Sequence, residues 1–165
     1  MERHLSVFLQ ETLDRELPNL YAITEEHAAA PPEKPGGWTR KQELGHLLDS
    51  AVNNHMRIVR AALDGAYEGP GYAQNDWVRI HAWEQLPWTT LVGFWKQHNT
   101  LLVHLVAQIS TDRLDSQCVI DKGPPVTLQF LIADYVLHMQ HHVDHLLSRE
   151  VLTQYPGAQL GIWKR

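Results

Sequence analysis

Four of the chain's 11 histidines fall within the run DYVLHMQHHVDH at 134–145. A neutral imidazole offers a ring lone pair to a metal ion, and its ordinary pKa near 6.5 also lets it carry protons at neutral pH. His138 and His142 are four residues apart, so a helix would stack them on one face, a turn apart. That spacing suits two imidazoles converging on one ion. His141 and His145 make a second pair of the same spacing on the adjoining strip. One ion cannot take both pairs as its primary ligands, so spacing leaves the choice open. It also leaves open a plainer reading, in which all four face water on a polar helix surface.

A helical wheel places Leu128, Ile132, Val136, Met139, Val143, Leu146 and Leu147 on one apolar stripe. His138 and His142 lie beside it, bridged by Tyr135, while His141 and His145 lie further round. The first pair is therefore better placed to line a groove next to a core. A catalytic zinc-type site uses three protein ligands and keeps a position open, so a third ligand must come from another helix. The candidate is His46 in WTRKQELGHLLDSAVNNH (38–55), where Gly45 allows close approach of a neighbouring group. His46 lies off the Leu44, Leu47, Leu48, Ala51, Ile58 stripe, which suits a ligand and equally suits a surface histidine.

Carboxylates that accept from the second ring N–H of such ligands would orient them. Asp49, one turn after His46, and Asp134, one turn before His138, have that spacing, although helix-surface acids would show it too. Tyr135 either packs beside the groove or donates to a substrate, and His145 could tune the proton balance near the pair. Asn75 and Asp76 read as caps of a short helix, with a place at the border of the pocket as the alternative. Trp77, Trp83, Trp88 and Trp95 read as anchors onto a bundle, with an aromatic substrate cage as the alternative. Cys118 has no neighbour in sequence that would activate it. The other histidines, His4, His27, His55, His81, His98 and His104, show no paired spacing.

These side chains need elements to hold them, and the dominant pattern is helical. Leu5, Phe8, Leu9, Leu13, Leu17, Leu20 and Ile23 recur at helical intervals up to about Ala30, with Pro18 placed to kink or divide the helix. AAAPPEKPGG (28–37) is a break. Thr39 and Gln42 have the arrangement of a capping box, opening a helix that runs to about Asp64. A shorter helix is expected over 74–86 and a long one from Pro87 onward, with Pro87 in its first turn. Residues 111–128 read as irregular, with a short hairpin about Asp121–Pro124. Thr127 then caps a last helix reaching about Glu150, followed by an extended or loosely packed tail. Four long helices and a short one make an all-α helix bundle, in one domain spanning 1–165.

Composition narrows the function classes. The chain has 165 residues, 44% of them hydrophobic, enough for one core. A formal net charge of −5 argues against a nucleic-acid surface, and no apolar run is long enough to span a bilayer. The charged N-terminal stretch lacks a signal-peptide core, so a cytoplasmic protein is expected. One cysteine excludes a disulfide framework and a multi-cysteine zinc site. There is no Gly-rich phosphate loop, nucleophile elbow or zinc-protease helix motif.

Three segments together, GWTRKQELGHLLDS (37–50), QNDWVRIHAWEQLPWTTLVGFWKQHNTLL (74–102) and DYVLHMQHHVDHL (134–146), resemble the DinB-like superfamily of metal-binding four-helix bundles, which includes the YfiT-type hydrolases. Its members carry one histidine in the second long helix, after a Trp-Ser/Thr start, and an H-x3-H pair in the last. The resemblance therefore assigns His46, His138 and His142 as the ligands. It implies an up-down-down-up bundle with a short extra helix and an irregular loop before the last helix, a homodimer, and zinc or nickel as the metal. It also implies a metal-dependent hydrolase, or a transferase using a low-molecular-weight thiol, acting on a small-molecule substrate; a non-catalytic metal- or ligand-binding bundle is the alternative. Where many relatives continue with an Arg-Gly-Gln or Gln-Ile segment after the pair, this chain has Val143-Asp144-His145.

Overall fold

The computed structural model describes residues 4–158. The ends of the expected 1–165 unit, residues 1–3 and 159–165, lie outside the described residues. Among the described residues six α-helices are formed: α1 (Leu5–Tyr21), α2 (Glu25–Ala29), α3 (Arg40–Asp64), α4 (Gln74–His81), α5 (Trp88–Gln108) and α6 (Leu128–Leu146). The four long ones make an up-down-down-up bundle. Helices α1 and α3 each pack against α5 and α6, so these two consecutive long helices stand diagonally across the bundle.

Local chemistry sets the boundaries. Pro18 sits within the last turn of α1, which runs on to Tyr21; the expected long first helix divides just after it, at residues 22–24, where Thr24 caps the short α2. The capping box of α3 is complete: Thr39 Oγ1 accepts from the Gln42 N–H at 3.2 Å, and Gln42 Oε1 accepts from the Thr39 N–H at 3.0 Å. Such a cap is worth about 1 kcal/mol, and it fixes the turn on which Glu43 and His46 sit. Gly65, at φ 78°, ends α3 in the left-handed conformation that glycine adopts without strain. Thr127 caps α6 by accepting from the Phe130 N–H at 3.1 Å.

Several expectations need correcting. The helix expected over 74–86 stops at His81, because Ala82 takes φ 48°, and resumes as a 3-10 turn over Trp83–Gln85. Pro87 is the residue before α5 rather than in its first turn. Ala73 precedes α4 without any side-chain cap; Asp76 instead pairs with Arg79 at 3.0 Å. The hairpin is real but belongs to a small sheet. Strand β2 (Gln117–Ile120) runs antiparallel to β3 (Val126–Thr127), and β1 (Ala66–Gly69) adds to β2 in parallel, Ala66 opposite Gln117. Strands this short carry too little alternation to show in sequence. α6 ends at Leu146, and the tail beyond it folds back on the bundle, with Gly157 buried.

The core joins all four long helices with the inner face of the sheet. Leu9, Leu13 and Leu20 of α1, Leu44, Leu47 and Ile58 of α3, Trp88, Leu91 and Trp95 of α5, and Leu131, Val136 and Met139 of α6 are buried together with Cys118 and Ile120. The six stripe residues within α6 belong to this core, and Leu147, just past its end, packs against it. Among the described residues no helix is long and apolar enough to cross a membrane.

Candidate metal centre

The seam between α3 and α6 carries the histidines. His46 and His138 are fully buried and His142 is half-buried. One ring nitrogen from each lies within 4.8 Å of the other two. His46 Nε2 and His138 Nε2 face each other at 3.2 Å, and the ring centroids of His46–His142 and His138–His142 are both 4.5 Å apart. Tetrahedral zinc with Zn–N bonds of 2.0–2.1 Å holds its nitrogens about 3.3 Å apart. The His46–His138 separation is close to that value, and the His142 nitrogen lies within 4.8 Å of both.

Electrostatics favours the same reading. Burial holds the pKa of His46 well below its ordinary value, with the His142 ring adding to the effect. Burial does the same to His138, helped by His142, His46 and His141. Both rings are therefore neutral at pH 7, and a neutral ring is the form that donates a lone pair to a metal. A self-contained histidine hydrogen bond would explain the 3.2 Å pair; it would not explain a third imidazole drawn to the same point in a site that penalises charge.

The surrounding groups fix ring orientation. Glu43, one turn before His46 on α3, accepts from His142 Nδ1 at 2.6 Å, which leaves Nε2 of His142 for the centre. Ser50, one turn after His46, lies 3.5 Å from His138 Nδ1, at the outer limit of a hydrogen bond. His46 Nδ1 has no hydrogen-bond partner among the described residues. The Trp38 ring packs 4.9 Å from His46, placed there by the turn that caps α3. Tyr155, from the returning tail, sets its ring edge-on to His138 at 5.0 Å and to His141 at 5.1 Å.

The other sequence-predicted residues divide. Spacing left the two histidine pairs of α6 undecided, and in the fold His138 and His142 meet His46. His141 instead holds the tail, its Nδ1 lying 2.9 Å from the Thr153 carbonyl. His145 is mostly exposed, with Nδ1 3.9 Å from Glu43 Oε1, so it shares the carboxylate that orients His142. Asp134 accepts from the Gly157 N–H at 2.7 Å and thereby anchors the tail. Tyr135 is buried and donates to Asn99 Oδ1 of α5 at 2.6 Å, a packing role. Asp49 does not serve a ligand histidine. Its carboxylate accepts from Trp83 Nε1 at 3.2 Å and lies 2.9 Å from His81 Nδ1.

Sequence reading missed Glu43, Ser50, Trp38 and Tyr155. Glu43 and Ser50 lie three and four residues from His46, so helical spacing could have found them. Tyr155 sits beyond any periodic segment and gave no such signal. Histidines without paired spacing also find partners across helices: His55 Nδ1 and His98 Nε2 lie 3.2 Å apart between α3 and α5. Cys118 is fully buried and its thiol pKa is pushed up to about 11, so it is an unreactive core residue.

Comparison with known proteins agrees with this architecture. The profile of the DinB superfamily matches residues 9–146. A protein of Oceanobacillus iheyensis named "Putative metal-dependent hydrolase" is 25% identical over 113 residues, covering 68% of this chain and 65% of its own length. This chain thus spans slightly less than two thirds of that relative. A protein of the same name from Halalkalibacterium halodurans is 21% identical over 155 residues, covering 93% of this chain and 90% of that one. Among solved structures, YfiT from Bacillus subtilis, described as a probable metal-dependent hydrolase with an unusual four-helix bundle topology, superposes with a TM-score of 0.77 at 18% identity, covering 97% of this chain and 87% of that one. A mycothiol-dependent maleylpyruvate isomerase superposes with a TM-score of 0.66 at 13% identity, over 96% of this chain and 65% of that one. With the profile covering most of the sequence, from α1 to the end of α6, the chain belongs to the DinB superfamily.

Proposed function

We propose that this chain is a metal-dependent enzyme for a small-molecule substrate, with one divalent ion, zinc or nickel, held by His46, His138 and His142. The convergence of three ring nitrogens within 4.8 Å, two of them on fully buried neutral rings, carries the reading. When bound, the ion supplies a Lewis-acid centre of undiminished positive charge, which makes a coordinated water or thiol more acidic and more nucleophilic at neutral pH.

The chain's own residues prepare that centre. Glu43 holds His142 in the tautomer that turns Nε2 inward, and its negative charge strengthens the ring as a donor. The Trp38 and Tyr155 rings border the cluster and restrict water around it. Three protein ligands leave at least one position for a substrate or co-substrate. Hydrolysis is the reaction favoured by the relatives' names. The likeness to a mycothiol-dependent isomerase favours a low-molecular-weight thiol as co-substrate. A homodimer in the cytoplasm, without nucleic-acid or membrane partners, completes the proposal.

Elemental analysis of purified protein tests it. About one divalent ion per chain, lost on His138→Ala with helical content retained, is the expected result. Absence of stoichiometric metal in the wild type overturns it. A panel of ester, amide and electrophile-plus-thiol reactions then separates an enzyme from a binding bundle, which would be stabilised by ligand without turnover.

A further inference from the structure

A second constellation lies on the neighbouring strip of α3. A pocket of about 470 Å³ opens between α3, α4 and α5, walled by Trp77, Trp83, Phe94, Val52 and Leu101. That volume and its mostly apolar lining suit a small molecule. At its wall Asp49 is 1% exposed; its Oδ2 accepts from Trp83 Nε1 at 3.2 Å, and its Oδ1, which makes no hydrogen bond among the described residues, lies 2.9 Å from His81 Nδ1. His81 also lines the pocket, and its side chain is 42% exposed.

We propose that this pocket is a ligand site, separate from the histidine triad, for a planar aromatic compound bearing an acidic hydroxyl, with the His81–Asp49 pair as its proton acceptor. With Nδ1 facing the Asp49 carboxylate at 2.9 Å, the opposite nitrogen of the His81 ring, Nε2, is the one turned to a ligand as acceptor. The Trp83 indole, packed on Gly45 and 4.5 Å from the His81 ring, holds that imidazole in place, while Trp77 and the half-exposed Phe94 line the pocket with the aromatic surface that a planar ligand stacks on. The proton leaves the ligand hydroxyl for His81 Nε2, so an O–H bond breaks and an N–H bond forms. The resulting imidazolium faces the Asp49 carboxylate on one side and the ligand's phenolate oxygen on the other. The other titratable group on the wall, His98, lies with its Nε2 against His55 and does not compete for this role.

The arrangement is built rather than incidental. A Cβ on Gly45 would lie 2.1 Å from the Trp83 ring, so only glycine lets that indole rest on α3 and reach Asp49 one turn along. A carboxylate buried this deeply is costly unless it is paired. Gly45, Asp49, His81 and Trp83 thus form one device on the side of α3 that the metal ligands do not use.

Titration with 4-nitrophenol tests the assignment, because its phenolate absorbs in the visible and its binding would quench tryptophan fluorescence. We expect saturable quenching and a bound ionisation constant about tenfold larger than the free one. His81→Gln, at an exposed position that tolerates change, should weaken binding about tenfold and abolish the ionisation change. Asp49→Asn should keep binding while losing the ionisation change. His138→Ala should alter neither, whatever becomes of the metal centre. Absence of saturable binding, binding unchanged by His81→Gln, or binding lost in His138→Ala overturns the proposal. A dimer that Phe94→Asp dissociates, with no probe bound, would give this face to a second copy and also overturn it.

Discussion

The two long seams of the bundle use opposite materials. Between α1 and α5 the buried apolar set includes Leu9, Leu13 and Leu20 of α1 and Trp88, Leu91, Val92 and Trp95 of α5, and the Trp88 indole donates to the Leu20 carbonyl at 2.8 Å. Between α3 and α6 the buried set includes His46 and Ser50 facing His138, with Asn54 behind them donating to the Ser50 carbonyl. An apolar seam gains roughly 25 cal/mol for each Å² removed from water, whereas buried imidazoles cost desolvation and return a modest hydrogen bond at most. The first seam holds the molecule together. The second spends some of that stability to keep neutral nitrogens gathered at one point, the arrangement on which the proposed metal site rests.

The contrast can be broken from either side. The largest effect is expected in the apolar seam: Leu91→Ala should cost about 2–5 kcal/mol in urea unfolding, while the remaining folded protein keeps its metal stoichiometry. Loss of metal from folded Leu91→Ala protein would show that the seams are not separable. Acid should strike the polar seam. The native pKa values of His46 and His138 are depressed, so below the unfolded value of about 6.5 the unfolded chain takes up protons that the native state refuses. That stabilising contribution is present above pH 6.5 and is lost as pH falls. Chelator-treated protein should therefore lose about 2 kcal/mol between pH 6.5 and 5.5, and a flat stability profile there would contradict neutral burial.

Finer changes sharpen the comparison. Glu43→Gln keeps the shape but weakens the orienting hydrogen bond to His142, and should lower metal affinity about tenfold, by competition with a chelating dye, with little change in unfolding. The smallest effect on stability is expected for His46→Leu. In metal-free protein this swap of a buried polar group for an apolar one of similar size should stay within about 1 kcal/mol of wild type, or stabilise it, while metal binding is lost. Severe destabilisation in the absence of metal would assign His46 a structural role instead.

Much of this was legible in the sequence because helices repeat. The Thr39–Gln42 box, the Thr127 cap, the α3 and α6 stripes and the four-residue spacing of His138 and His142 are all local, and a helix turns each into a predictable direction. The resemblance to the DinB-like superfamily supplied His46, which the wheel alone left between a ligand and a surface residue. The illegible parts are contacts across elements. Asp49, spaced to serve His46, turns to Trp83 and His81. His55 and His98 meet only because α3 packs on α5. The tail, read as loose, is pinned by Asp134 and His141 and brings Tyr155 onto the cluster.

By itself, then, the sequence determined which faces are apolar, where helices begin, and which histidines share a turn, since these depend on backbone periodicity and on side chains within four residues. Only the tertiary structure decided that one strip of α3 meets α6 to gather three imidazoles and the next strip meets α4 to enclose a carboxylate. Those choices depend on how helices pack around a common core, and the cost of burying polar groups then dictates which partner each one takes.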